Sequence, residues 1–494
     1  MQRATPRTQR VLLLVWDGMR PDYVTEALTP HLWAFATRGA WYRRAVGIFP
    51  SVTRPTTASV STVAYPAAHG LIANRFVGPP ADRTPVDTGD RMALERLRSL
   101  NAGRILPMPT LAEQLVTAGK CVTVLGSGTT GQATLLDPER VGTTIHLAFT
   151  WPESLLARLA ERFGPPPPKR VPAQAANDWL TQVLIEYVLP GLAPDVVLMW
   201  LCEPDSTQHA RGLGAPETLA VMQGNDARLG RVLAAVAASG VPTTVIVASD
   251  HGHSTVAGMI QEADLLRAAG FAEALDRGEL LLGEQAVVIP AGSRARELQD
   301  RVGAWLAAQP WVGALVAWAD GAASVPDGVL TPADLWNDRA SSALAYAPAF
   351  TYSYAWNDDT NPRGAPGSAY APFTAALADF ARLQGPVIGL NRLTSTHGTL
   401  GPRDQRTLLA LGGAGVRPGA LNIPAGIVDL APTILALLGL PSLPNADGRV
   451  LTEALVDGPD PSTLAIRTET IAILPSGPLR RHWVGTTTYL DSGM

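Results

Sequence analysis

Short apolar runs that end at an acid constrain this chain's fold more than any other feature. V-L-L-L-V-W at Val11–Trp16 is followed by Asp17, and V-V-L-M-W-L at Val196–Leu201 by C-E-P and Asp205. T-T-V-I-V-A at Thr243–Ala248 is followed by Ser249, Asp250 and His251. Runs this short and this continuous suit strands buried on both faces, as in a sheet covered by helices. Cys121–Leu125 and Thr407–Leu411 fit the same description. Helices are expected over Pro30–Arg38, Leu111–Ala118, Pro216–Ala238 and Leu430–Leu438. In the third, Leu219, Met222, Leu229, Val232 and Val236 recur at near-helical spacing. The expected class is therefore α/β, a three-layer α/β/α core. Ligands of open α/β sheets gather at the carboxyl ends of strands, so Asp17, Asp205 and Asp250 are expected to converge.

Composition narrows the function classes. With 494 residues, 46% hydrophobic and 17% charged, the chain is globular, not disordered. A formal net charge of −4 gives no general drive toward nucleic acid or an anionic membrane, so any phosphate affinity must be local. Two cysteines, Cys121 and Cys202, make no disulfide framework and read as buried free thiols in apolar runs. Arg3, Arg7 and Arg10 precede a six-residue apolar run, too short for a signal-peptide core, and no window reaches a membrane span. A cytoplasmic location is expected. Gly164–Arg170 carries four consecutive prolines and reads as an extended surface linker. Residues 257–393 are rich in Trp, Tyr and turns and poor in chemical motifs. They read as an insertion packed beside the active site, within a core of residues 1–256 and 394–494.

The chemistry lies in E-P-D-S-T-Q-H (Asp205, His209), S-D-H-G (Asp250, His251) and S-T-H-G (His397), together with Asp17. Carboxylates with imidazoles bind hard-to-borderline divalent cations, and two adjacent cations suit attack on phosphorus. In P-S-V-T-R-P, Thr53 precedes Pro55, which marks a helix start where free N–H groups favour a phosphate. Read alone, Thr53 is better explained as an N-cap, and the other motifs reverse that preference. His31, His69, His146 and His482 read as structural. His253 reads either as support for the ligands or as purely structural.

These motifs in this order resemble the nucleotide pyrophosphatase/phosphodiesterase branch of the alkaline phosphatase superfamily. V-W-D-G-M-R-P-D-Y resembles its first metal motif, and F-P-S-V-T-R-P-T-T-A-S-V-S-T its nucleophile segment. V-D-L-A-P-T-I-L-A-L-L-G-L-P followed by D-G-R-V-L resembles its terminal signature. The likeness covers about residues 11–76, 195–254 and 395–451 and leaves the insertion uncovered. It implies an alkaline-phosphatase-like core with a mostly parallel sheet and an inserted subdomain. It further implies two divalent metal ions, usually zinc, with manganese or iron tolerated. Asp17, Thr53, Asp250 and His251 would hold one, and Asp205, His209 and His397 the other. Thr53 would attack phosphorus, and the phosphothreonine would then be hydrolysed. The substrate would be a small phosphorylated molecule, with a phosphodiester or pyrophosphate bond cleaved.

Departures from the family bear on substrate. Nucleotide-cleaving relatives usually read T-F-P-N where this chain reads T-R-P-T. Arg54 would bind a second anion or stack by its guanidinium plane, or else lie on the surface. Thr56 would hydrogen-bond a phosphoryl oxygen. Trp200 stands where relatives often carry a base-stacking aromatic, or else belongs to the core. Phosphonoacetate-hydrolase-like C–P cleavage and phosphomonoester hydrolysis are the enzymatic alternatives, and an idle metal-binding scaffold is the non-enzymatic one. The absence of C-x-P-S-R and S-x-P-S-R argues against a sulfatase.

Overall fold

The computed structural model describes residues 8–78, 83–318, 328–336, 348–373, 394–473 and 477–491. Its central sheet has nine strands. They are β1 (Arg10–Trp16), β2 (Ala40–Val46), β3 (Val122–Gly126), β4 (Thr143–His146), β5 (Phe149–Trp151), β6 (Val196–Leu201), β7 (Thr243–Ala248), β8 (Leu409–Gly413) and β9 (Gly419–Gly426). Their spatial order is β9-β2-β8-β7-β1-β6-β3-β4-β5. From β7 through β4 every pairing is parallel. Strand β8 runs antiparallel to both β2 and β7, and β5 runs antiparallel to β4.

The lack of polar alternation in the strands has its counterpart in two packed faces. Val11, Leu13, Val15, Leu198, Trp200 and Ile246 turn toward one helical layer. That layer contains α2 (Thr53–Thr62) and, later in the chain, Leu430–Leu437. Leu12, Leu14, Trp16, Val197, Met199, Val245 and Val247 turn to the other face. There they meet α1 (Pro30–Arg38) through Leu32 and Ala36. The same face meets Pro216–Ala238 through Met222, Leu229 and Val232. Each such side chain contributes about 1.5–3 kcal/mol by leaving water. Three further helices matter here: α3 (Thr130–Leu136), α4 (Asp205–Arg211) and α5, the long helix Pro216–Ala238.

Three strands differ in their bounds from expectation: the first begins one residue earlier, at Arg10, and two others are displaced toward the C-terminus, to Val122–Gly126 and Leu409–Gly413. The third strand begins at Val122, because the Cys121 N–H donates to the Asp195 carboxylate at 2.9 Å. Cys121 is exposed, contrary to the expected burial, whereas Cys202 is buried. The strand expected at Thr407 begins at Leu409, since the Leu408 N–H is taken by the Ser249 hydroxyl at 2.8 Å.

Two four-stranded sheets are built from the stretch after β7. One has the order Trp356–Thr360, Pro366–Pro372, Ser254–Ile260, Ser395–Thr396. The other has the order Leu281–Gly283, Ala286–Val288, Phe350–Tyr354, Val312–Ala317. Phe271, Leu298, Val302, Trp311, Leu315 and Tyr352 give this part its own apolar core. Ser254 pairs with Thr396, so the chain leaves and re-enters the central domain through one antiparallel ladder. A three-stranded sheet over 466–491 closes the C-terminal side. Among the described residues no helix is long and apolar enough to cross a membrane.

Candidate functional site

Register brings the acids together. Trp16 stands opposite Leu201 and Val15 opposite Ala248, so β1, β6 and β7 end at one level. Their outgoing chains are then stitched: Asp17 N–H donates to Leu201 O, and Asp205 N–H to Asp17 O, both at 3.0 Å. The Gly18 N–H donates to Asp250 Oδ1 at 3.0 Å. Gly18 has a φ of +70°, and a Cβ there would lie 2.9 Å from the His253 ring, so glycine is required at this turn.

One group of ligand atoms surrounds His251 Nε2. Asp250 Oδ2 lies at 3.2 Å, Thr53 Oγ1 at 3.3 Å and Asp17 Oδ1 at 3.4 Å. The opposite ring nitrogen, Nδ1, donates to Gly252 O at 2.9 Å, which fixes Nε2 as the end turned toward the carboxylates. Asp17 Oδ1 and Asp250 Oδ2 are buried and accept no hydrogen bond. Burial, then the neighbouring acids, raises both carboxyls above their ordinary range. Burial opposes charge on His251, but Asp250 and Asp17 outweigh it and lift the imidazole to about 10. Two buried, closely placed carboxylates demand a positive charge. A proton on Nε2 supplies it, and a divalent cation in the proton's place suits the same donor set better.

The second group centres on Asp205 Oδ1, with His209 Nε2 at 3.2 Å and His397 Nε2 at 3.4 Å. His209 lies one turn after Asp205 on α4, so both share a face. His397 arrives on the returning strand Ser395–Thr396. The Nδ1–H groups of His209 and His397 donate to Ser395 O and Ser51 O, each at 2.8 Å, so in each ring Nε2 is the nitrogen that could bind a cation. His253 behaves differently. Fully buried, it places Nε2 2.7 Å from Asp205 Oδ1, and its Nδ1 is 3.2 Å from Ser395 Oγ. It therefore donates to the Asp205 carboxylate and holds it in place. Burial would raise Asp205, but His209 and His253 keep it well below the usual carboxylate range. The His251 and His397 rings stack with centroids 3.6 Å apart, joining the two groups. Ligand atoms of Asp17, Asp250 and His251 lie within 4.8 Å of one another, as do those of Asp205, His251, His253 and His397.

Thr53 opens α2, while the cap position belongs to the extended Val52. Its hydroxyl caps nothing and faces His251. All seven sequence-derived ligand candidates thus meet in one place. The substrate candidates fare differently. Arg54 lines the cleft above the cluster; its Nε is buried without a hydrogen bond, and Glu284 lies within its electrostatic reach. Thr56 is fully buried and donates its hydroxyl to Val52 O at 2.9 Å, so it is spent inside the helix and does not reach a substrate. Trp200 is also a correction. It is 1% exposed, packs in the core, and donates Nε1–H to Asp17 Oδ2 at 3.1 Å, so it orients a ligand and cannot stack on a base.

The cleft measures about 710 Å³. Its lining includes residues the sequence did not single out. Asn74 accepts the Arg54 N–H through Oδ1 at 3.2 Å, which leaves its NH₂ as a donor beside Thr53. No spacing rule points to it, since A-H-G-L-I-A-N carries no metal or nucleophile pattern. Glu262, Glu284 and Gln285 come from the stretch after β7. Glu262 is raised by burial and accepts hydrogen bonds from the Tyr352 and Tyr354 hydroxyls. The other histidines lie outside the cluster. His69, for one, is buried, pushed down to about 3 by desolvation, and receives the Leu71 N–H.

The profile of the type I phosphodiesterase / nucleotide pyrophosphatase family matches residues 11–307. An uncharacterized pyrophosphatase/phosphodiesterase of Schizosaccharomyces pombe is 35% identical over 69 residues, 14% of each chain. The bis(5'-adenosyl)-triphosphatase enpp4 of Xenopus laevis is 35% identical over 69 residues, 14% of this chain and 15% of that protein. The aligned stretch is thus a small part of either relative. Murine ectonucleotide pyrophosphatase / phosphodiesterase 5 superimposes with a TM-score of 0.57 at 17% identity, covering 88% of this chain and 96% of that one. An inactive form of the same murine protein, in complex with AMP, matches with a TM-score of 0.55 at 16% identity, over 88% of this chain and 96% of that one. Alkaline phosphatase PafA superimposes with a TM-score of 0.64 at 14% identity, covering 92% of this chain and 100% of that one. These likenesses bear out the alkaline-phosphatase-like α/β fold.

Proposed function

Because the chain belongs to the type I phosphodiesterase / nucleotide pyrophosphatase family of hydrolases, we propose that it cleaves phosphodiester or pyrophosphate bonds, nucleotides among them, through a phosphothreonine at Thr53. The observation that carries this reading is the convergence of Asp17 Oδ1, Asp250 Oδ2 and Thr53 Oγ1 on His251 Nε2, beside Asp205, His209 and His397. Asp17, Thr53, Asp250 and His251 would hold one divalent cation, and Asp205, His209 and His397 a second. Zinc suits the mixed carboxylate and imidazole set, and manganese or iron would be tolerated. When bound, the cations supply the positive charge that acidifies a hydroxyl and stabilises a departing oxygen.

The protein's own groups do the rest. Thr53 Oγ1, uncommitted to any cap, would lose its proton and attack phosphorus as the P–O bond to the leaving group breaks and that oxygen takes up a proton; water would then attack the phosphothreonine, breaking its P–Oγ1 bond, releasing the phosphoryl product and returning a proton to Oγ1. The Asn74 NH₂ is placed to hold a non-bridging oxygen. The N–H of residue 54 at the helix start is engaged by Asn74 Oδ1. Arg54 would meet a further anionic part of the substrate. The described part of the stretch after β7 would act as a cap, since Glu262, Leu282, Glu284 and Gln285 line the cleft. The names of enpp4 and of the AMP complex support a nucleotide as the small phosphorylated substrate.

The test is metal-replete hydrolysis of the nitrophenyl ester of thymidine monophosphate beside nitrophenyl phosphate and phosphonoacetate. A strong preference for the diester is expected. Preference for the monoester or for phosphonoacetate would keep the metal chemistry and overturn the substrate reading, and no turnover of any would leave an idle scaffold.

A further inference from the structure

The proline run reads as a surface linker, but its end lies in the cleft. Lys169 follows Pro165–Pro168, lines the cavity, and sets Nζ 3.5 Å from Gly128 O beyond the carboxyl end of β3. Four prolines fix φ at four successive residues, so little chain entropy is lost in presenting this lysine. Among the described residues no carboxylate pairs with it. Gln132 of α3 also lines the cleft and is 1% exposed, yet neither amide atom makes a hydrogen bond. A buried, unsatisfied amide is destabilising unless something meets it. Its surroundings are kept bare by two glycines: a Cβ on Gly126 would lie 3.4 Å from Gln132 Oε1, and one on Gly128 3.3 Å. Beside them the Thr129 hydroxyl accepts the Gln132 N–H at 3.2 Å, which leaves its own proton to give. An ammonium, an amide NH₂ and a hydroxyl proton therefore line one cleft, all donors; among the described residues the amide meets no partner and the ammonium only Gly128 O at 3.5 Å.

We propose that Lys169, Thr129 and Gln132 form a second oxyanion subsite that binds a phosphoryl group of the substrate other than the one attacked by Thr53. This rests on the hydrolase reading above and sharpens it: the preferred substrate carries at least two phosphoryl groups. The donors come from the G-S-G-T-T turn, from α3 and from the residue after the proline run, apart from every candidate ligand of the cluster.

The experiment compares ATP, which has further phosphoryl groups, with the nitrophenyl ester of thymidine monophosphate, which has none. The readout is the ratio of the two kcat/KM values. Lys169→Ala should lower that ratio about five- to tenfold, the size of one charge-assisted hydrogen bond at a partly solvated site. Lys169→Glu should lower it further, Lys169→Arg should restore it to within about threefold, and Gln132→Leu should lower it as well. Because Lys169 is exposed, its variants test binding without threatening the fold. An unchanged ratio in Lys169→Ala and Lys169→Glu overturns the subsite while the hydrolase reading stands. Turnover of neither substrate by the wild-type protein overturns the hydrolase reading and the subsite with it.

Discussion

The two ligand groups solve the same problem with different parts of the chain. Asp17, Asp250 and His251 hang from the ends of neighbouring parallel strands, are closed off from solvent, and set two carboxylates against one imidazole. Asp205, His209 and His397 are more open, set one carboxylate against two imidazoles, and depend on a helix and on a strand that returns from the insertion. The first group is a property of the central sheet. The second is a joint between the sheet and everything inserted after β7. One enclosure therefore favours a cation through excess negative charge, and the other through geometry that a distant segment must complete.

That contrast can be broken or sharpened by substitution. Thr53→Ala should lower kcat by about 10³-fold or more, while metal analysis still finds a cation at the Asp205 group. Wild-type-like turnover would remove Thr53 from the role of nucleophile. Asp250→Asn should cost about 10²–10³-fold in activity and one equivalent of metal from the enclosed group alone, leaving the second to be titrated separately. His253→Ala should weaken metal binding at the Asp205 group by about 10–100-fold, with little change at the enclosed one. Equal losses at both groups would show that they act as a unit. Trp200→Phe should weaken the enclosed group about threefold to tenfold by freeing Asp17, without raising KM for nucleotide over non-nucleotide diesters; a selective rise in KM would return the ring to the substrate. Smallest of all, Thr56→Val should leave KM unchanged and shift unfolding by about 1 kcal/mol in denaturant titration, the worth of one internal hydrogen bond.

The sequence made the enclosed group and its support largely legible. Uninterrupted apolar runs required burial on both faces, and the acids just beyond them had to lie at one edge. Val196–Leu201, Thr243–Ala248 and Pro216–Ala238 match the observed bounds. The walls of the cleft were not legible, because no period or short motif specifies them. Asn74 is placed by the Arg54 N–H, Gln132 by bare neighbours, and Lys169 by a stiff segment that local composition assigns to the surface. Trp200 shows the converse error. Its position in the chain matched a substrate-stacking residue, yet the inward half of β6 points into the core, so only the indole N–H reaches the site.

The ladder that pairs Ser254 with Thr396 also bears on how the molecule is assembled. Ser395 and His253 touch although 142 residues separate them, so this contact closes a very long loop, with an entropy cost that grows as the logarithm of its length. Contacts of that separation form after local ones. The open ligand group therefore matures only when the ladder at Ser254 and Thr396 has closed. A cation held there would bind the docked chain and not the undocked one, and so would act as a reversible fastener on the insertion. Removing it with a chelator should speed amide exchange along 254–260 while leaving β1 and β6 protected, a coupling between metal supply and the closure of that long loop.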